Sequence, residues 1–175
     1  MDKIKVTQDT LYEYLTAHDV KMVRLAEMIG KDPDVITSCF KHRKDMHGIP
    51  RVFSESNVSK INDVLPVLAD EIRGCLITFG SPKTYTNKFG RIYDPGMIEP
   101  LKTLGVYLNI TGLLSRLLGW SKNKKASVLC RPNALNYGNI SEADIVAVNN
   151  EILSIAGVLS NYELIKCEEN KDVNY

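Results

Sequence analysis

Ser121, Lys122, Asn123 and Lys124 place one hydroxyl, one carboxamide and two ammonium groups in four consecutive positions, directly after Gly119-Trp120. Such groups suit the edge of a nucleic-acid duplex. Lysine donates to guanine O6 and N7, asparagine pairs bidentately with adenine, and further cations hold phosphates. Ser127 lies one turn further on, and Arg131 closes the helix expected over 122–131. A second set is Thr37, Ser38, Lys41, Arg43 and Lys44, but it comes after Asp32-Pro33-Asp34. Two acids at a helix start suit the helix dipole and repel phosphate, so these cations are expected on the backbone at most.

Other chemistries find less support. The chain has no G-x-x-x-x-G-K loop, G-x-G-x-x-G, H-E-x-x-H or nucleophile elbow, so an enzyme is not expected. Ser54 and Ser141 read as helix caps, with no histidine or carboxylate partner beside them. His42 and His47 sit in a basic loop without a shared helical face, His18 reads as a helix-end residue, and neither metal nor cofactor is expected. Cys39, Cys75, Cys130 and Cys167 are scattered and form no C-x-x-C pair, which reads as reduced thiols in a cytoplasmic protein. Trp120 reads as a core plug. Tyr85, Phe89 and Tyr93 interleave with Lys83, Lys88 and Arg91 as in single-strand binders, or as rings packing a linker.

The elements that must carry these groups repeat. Leu25, Ala26, Ile29, Gly30, Lys31, Ile36 and Cys39 correspond, 89 residues later, to Leu114, Ser115, Leu118, Gly119, Trp120, Lys125 and Val128. Each series describes two crossing helices, with a small residue at the crossing and a glycine in the turn where positive φ is needed. Lys31 and Lys125 depart from the pattern. Lys125 either snorkels from a core position or marks a one-residue shift that turns Ala126 inward. Beyond each pair comes a long apolar ladder. Val58, Ile61, Leu65, Leu68 and Ile72 recur at an offset of 87 as Ile145, Val148, Ile152, Ile155 and Leu159, with Asn62 matching Asn149 and Ala69 matching Ala156. Steps of three and four residues predict one buried helical face in each.

Further helices are predicted over 10–17, 22–29, from Asp32-Pro33 onward, from Ser54-Glu55 to about Arg73, over 111–118 and over 142–159, with a kink or broken turn at Pro66. Lys41–Phe53 reads as a polar loop. The class is all-α: module one over 1–77, an irregular or short-hairpin linker over 78–96, module two over 97–165, and a fraying tail over 166–175.

At the two glycine turns the chain resembles the lambda-repressor/Cro-type helix-turn-helix family, here as a tandem duplication of about 65 residues per copy. The resemblance implies binding of double-stranded DNA without a cofactor, with the second helix of each pair in the major groove. Carried over, Ser121, Lys122, Asn123, Lys124 and Ser127 become the base readers. Two copies on one duplex would set their reading helices about 34 Å apart.

Charge supports an anionic partner for the middle of the chain. Residues 78–131 hold nine Lys/Arg against two acids, whereas residues 132–175 hold two against seven, within a net charge of +1. No apolar run suggests a membrane span, and the first residues lack the apolar core of a signal peptide. The expected function is a sequence-specific duplex-DNA-binding regulator of transcription or of a mobile element. The alternative is a protein-interaction module, engaging a protein partner or a second copy, on a helix-turn-helix frame that no longer binds DNA.

Overall fold

The computed structural model describes residues 2–77, 85–86, 92–93, 98–125 and 142–166. The chain is mainly α-helical. Strand β1 (Ile4–Val6) leads into α1 (Gln8–Ala17), α2 (Met22–Ile29), α3 (Pro33–Phe40) and the long α4 (Glu55–Arg73). A short antiparallel hairpin, β2 (Tyr85–Thr86) with β3 (Ile92–Tyr93), precedes α5 (Ile98–Leu104) and α6 (Ile110–Leu118). Helix α7 begins at residue 122 and is described through 125, followed by α8 (Glu142–Asn161) and β4 (Tyr162–Leu164).

Local chemistry accounts for the boundaries. Thr7 caps α1 by accepting from the Thr10 amide at 3.2 Å. Asp32 caps α3 through the Asp34 amide at 2.8 Å, with Pro33 in the first turn. Ser54 accepts from the Asn57 amide at 3.2 Å and so starts α4 as a cap. Pro66 does not break α4, which runs unbroken from Glu55 to Arg73. Its missing amide removes one bond to the Asn62 carbonyl, while Leu65, Leu68 and Ala69 around it are fully buried. All ten ladder residues are buried, as are Ala69 and Ala156.

The chain divides into two compact units: residues 1–70 with 157–175, and the continuous stretch 71–156. The first unit takes in the chain that follows Ala156 of α8, and the second begins at Glu71, in the last turn of α4. In the first unit β1 pairs in parallel with β4, in the register Ile4 with Tyr162, Lys5 with Glu163 and Val6 with Leu164. Asn62 of α4 locks that ribbon. Its Nδ2 donates to the Leu164 carbonyl at 2.9 Å, and its Oδ1 accepts from the Leu164 amide at 2.6 Å. Phe40 and Phe53 pack edge to face at 4.8 Å between centroids, and Tyr12 stacks on Phe40 at 5.3 Å.

In the second unit Asn149 of α8 performs the same task. Its Nδ2 donates to the Ile77 carbonyl at 2.7 Å and its Oδ1 accepts from the Ile77 amide at 2.8 Å. Leu101, Leu104, Leu108, Leu113 and Leu114 are buried in that unit with Trp120. Helix α8 is an exception to the expectation of no spanning segment: an 18-residue window reaches a mean hydropathy of 1.3. Its ladder face, Ile145, Val148, Ile152, Ile155 and Leu159, is buried within the protein.

Candidate nucleic-acid interface

The cationic cluster after Trp120 is positioned by a glycine corner. Helix α6 starts at Asn109, whose side chain accepts from the Gly112 amide at 3.3 Å, and ends at Gly119 with φ 65° and ψ 24°. The Gly119 amide returns to the Ser115 carbonyl at 3.1 Å and the Trp120 amide to the Leu114 carbonyl at 3.3 Å. These bonds satisfy carbonyls that the helix end would leave open. Trp120 turns inward and is 6% exposed. Ser121 then caps α7, its Oγ accepting from the Lys124 amide at 3.2 Å and its carbonyl from the Lys125 amide at 3.0 Å.

Helix α2 ends on a matching corner. Gly30 has φ 70° and ψ 33°, and the Lys31 amide returns to the Ala26 carbonyl at 3.0 Å. The two corners differ at the residue after the glycine, since Lys31 is exposed where Trp120 is buried. They differ again at the helix crossing. Ala26 and Ile36 are both fully buried, whereas Ser115 and Lys125 hold the matching positions as a polar pair. The Lys125 ammonium donates to Ser115 Oγ and lies 3.5 Å from the Thr111 carbonyl. Ser115 is exposed and Lys125 half-buried, and Ala126, the residue of the alternative register, lies outside the described residues.

Lys122 and Asn123 are exposed with Ser121 at the start of α7. Lys124 is half-buried, its Nζ 4.5 Å from the centroid of the Trp120 ring. That cation–π contact holds the side chain against the corner and leaves Lys122 the more exposed ammonium. Ser127 and Arg131 lie outside the described residues. Arg116 on α6 pairs with Glu151 of α8 at 3.2 Å, so its charge is engaged within the unit.

The other set is dispersed. Thr37 is half-buried, and Ser38 is 8% exposed, which removes its hydroxyl from any groove. Ser38 packs there because the last turn of α3 buries Ile36, Cys39 and Phe40 around it. Lys41, Arg43 and Lys44 are exposed beyond the helix. Between them His42, at φ 50°, turns back: its Nε2 lies 2.8 Å from Asp9 Oδ1 and 3.2 Å from the Nε2 of buried Gln8. Gln8 also donates to the Cys39 carbonyl at 2.6 Å, so the end of α3 is tied to the start of α1.

Residues 43–51 form a tight hairpin where a polar loop was expected. The Arg51 amide donates to the Arg43 carbonyl at 3.0 Å, and Asp45 Oδ1 accepts from the amides of His47 and Ile49 at 2.8 and 3.0 Å. Asp45 and Gly48 at turn spacing were the available signal. Comparison with family models, curated proteins and solved structures found no match for the chain.

Proposed function

We propose that this chain is a sequence-specific duplex-DNA-binding protein, a regulator of transcription or of a mobile element, with two tandem helix-turn-helix modules of the lambda-repressor/Cro type. The start of α7 is its principal reader. One observation carries the reading: the Gly119 corner buries Trp120 and leaves Ser121, Lys122 and Asn123 on the surface at a capped helix start. Helix amino termini with exposed donors favour phosphate and base edges alike. The equivalent corner at Gly30 supports a duplication, and the acidic helix start after it favours support, backbone contact or partner binding for the first module.

Fluorescence anisotropy with a labelled mixed-sequence duplex at low salt tests this. Wild type binds at micromolar protein, and K122A/K124A weakens binding and lowers the slope of log K against log salt by about 2. Unchanged binding in that variant removes α7 as the reader.

A second reading is a protein-interaction module. Val146 and Leu153 stand seven residues apart on α8, 52% and 46% exposed, two apolar side chains available to a protein partner or a second copy. Concentration-dependent sedimentation without any duplex binding favours it.

A further inference from the structure

We propose that the hairpin of residues 43–51 is a second DNA contact, which enters the minor groove and wedges Met46 between base steps. The inference rests on the duplex-binding reading above and adds a contact that the glycine corners do not supply. An ordered turn here presents a large apolar side chain to solvent. Met46 is 92% exposed and Ile49 60%. The Asp45 amide donates to the Ile49 carbonyl at 2.9 Å, the Gly48 amide to the Asp45 carbonyl at 3.0 Å, and Gly48 takes φ 77°. Lys44 and Pro50 bridge in antiparallel fashion below the tip.

The base of the hairpin is anchored as firmly. The Arg43 amide donates to the Ser38 carbonyl at 3.0 Å, and Phe53 is buried against Phe40. An apolar tip on a fixed mount has its ordering cost met by the fold before any partner arrives.

Charge selects the partner. Residues 41–51 carry four Lys/Arg against one acid, and the carboxylate of that acid, Asp45, is occupied by backbone amides. Lys41, Arg43, Lys44 and Arg51 are all exposed around the tip. Proteins of the minor groove combine these two features: cations along the phosphates and an apolar residue that partly unstacks a base step and bends the duplex. A lipid surface would call for a broader apolar face than one methionine and one isoleucine. The placement also explains how the first module can approach DNA despite Asp32 and Asp34: its cations come after α3 instead of opening it.

The test uses the full chain with a 30-base-pair duplex bearing a central TA step and end labels for energy transfer. Variants M46A, R43A/K44A/R51A and K122A/K124A are compared, with circular dichroism confirming the fold. Wild type is expected to bend the duplex and to be displaced by the minor-groove ligand netropsin. M46A should lose the bend and about ten-fold in affinity. The triple variant should lower the salt slope by about 3, and K122A/K124A should weaken binding while the bound duplex stays bent. If M46A binds and bends as wild type does, or netropsin fails to compete, the hairpin inference falls and the duplex-binding reading stands. If wild type binds no duplex, both fall. Loss of phosphatidylserine-vesicle binding in M46A with unchanged duplex affinity would overturn the inference in favour of a lipid surface.

Discussion

Asn62 and Asn149 lie 87 residues apart and make the same two hydrogen bonds, one given and one accepted, to the backbone of a single residue. Their partners, Leu164 and Ile77, are also 87 apart but in the opposite order. The asparagine of the early helix clasps the late segment, and that of the late helix clasps the early one. A carboxamide suits this role because it carries a donor and an acceptor side by side, matching one residue's C=O and N–H.

Removing either clasp should therefore be felt in a distant part of the chain. N62A and N149A each leave a backbone amide and carbonyl without their side-chain partner, at a cost of about 1–3 kcal/mol. Hydrogen exchange measured by NMR should show the Leu164 amide deprotected in N62A and the Ile77 amide in N149A. Deprotection confined to residues next to the mutated position would contradict the clasp.

The glycine corners predict a conformational cost without a steric one. A Cβ at Gly30 or Gly119 meets no atom within 4 Å, yet both residues hold positive φ. G30A and G119A should each destabilise the protein by about 1–2 kcal/mol in urea titrations. On the proposed duplex-binding function, only G119A should weaken duplex binding more than it weakens the fold, because Gly119 precedes the start of α7.

Ser115 and Lys125 are hydrogen-bonded through their side chains, where the matching Ala26 and Ile36 are both buried. S115A alone should cost at most about 0.5 kcal/mol, since Ser115 is exposed and water replaces the lost acceptor. S115A/K125I should lie within about 0.5 kcal/mol of K125I alone, since the serine has then no ammonium to accept from. Additive losses in this double-mutant cycle would show the two residues to be independent.

Burial raises the thiol pKa of Cys39 and Cys75 above the ordinary 9.0; Arg51 partly opposes the rise at Cys39, and Glu71 adds to it at Cys75. A raised folded-state pKa contributes stability that is complete below pH 9.0 and is lost as pH climbs through the folded value. Urea midpoints should therefore fall between pH 8 and pH 10, and by less in C75A measured against its own value at pH 8. At pH 8 native Cys39 and Cys75 should react with iodoacetamide much more slowly than in urea.

The pattern of residues determined a good deal unaided. Ladder spacing located the buried faces of α4 and α8, Asp32-Pro33 and Ser54 located helix starts, and the glycines at 30 and 119 located two left-handed corners. These are local choices, governed by capping, backbone sterics and 3.6-residue periodicity, and they are written within a few neighbouring positions. Tertiary structure alone decided which segments complete each unit, that Ser38 is withdrawn from the surface, that Lys124 rests on Trp120, and that Lys125 answers Ser115. It also decided that β1 finds its partner in β4 at the far end of the chain. Those outcomes depend on contacts between residues distant in sequence, where the free energy of burial and the demand for paired backbone groups are settled by the assembled core.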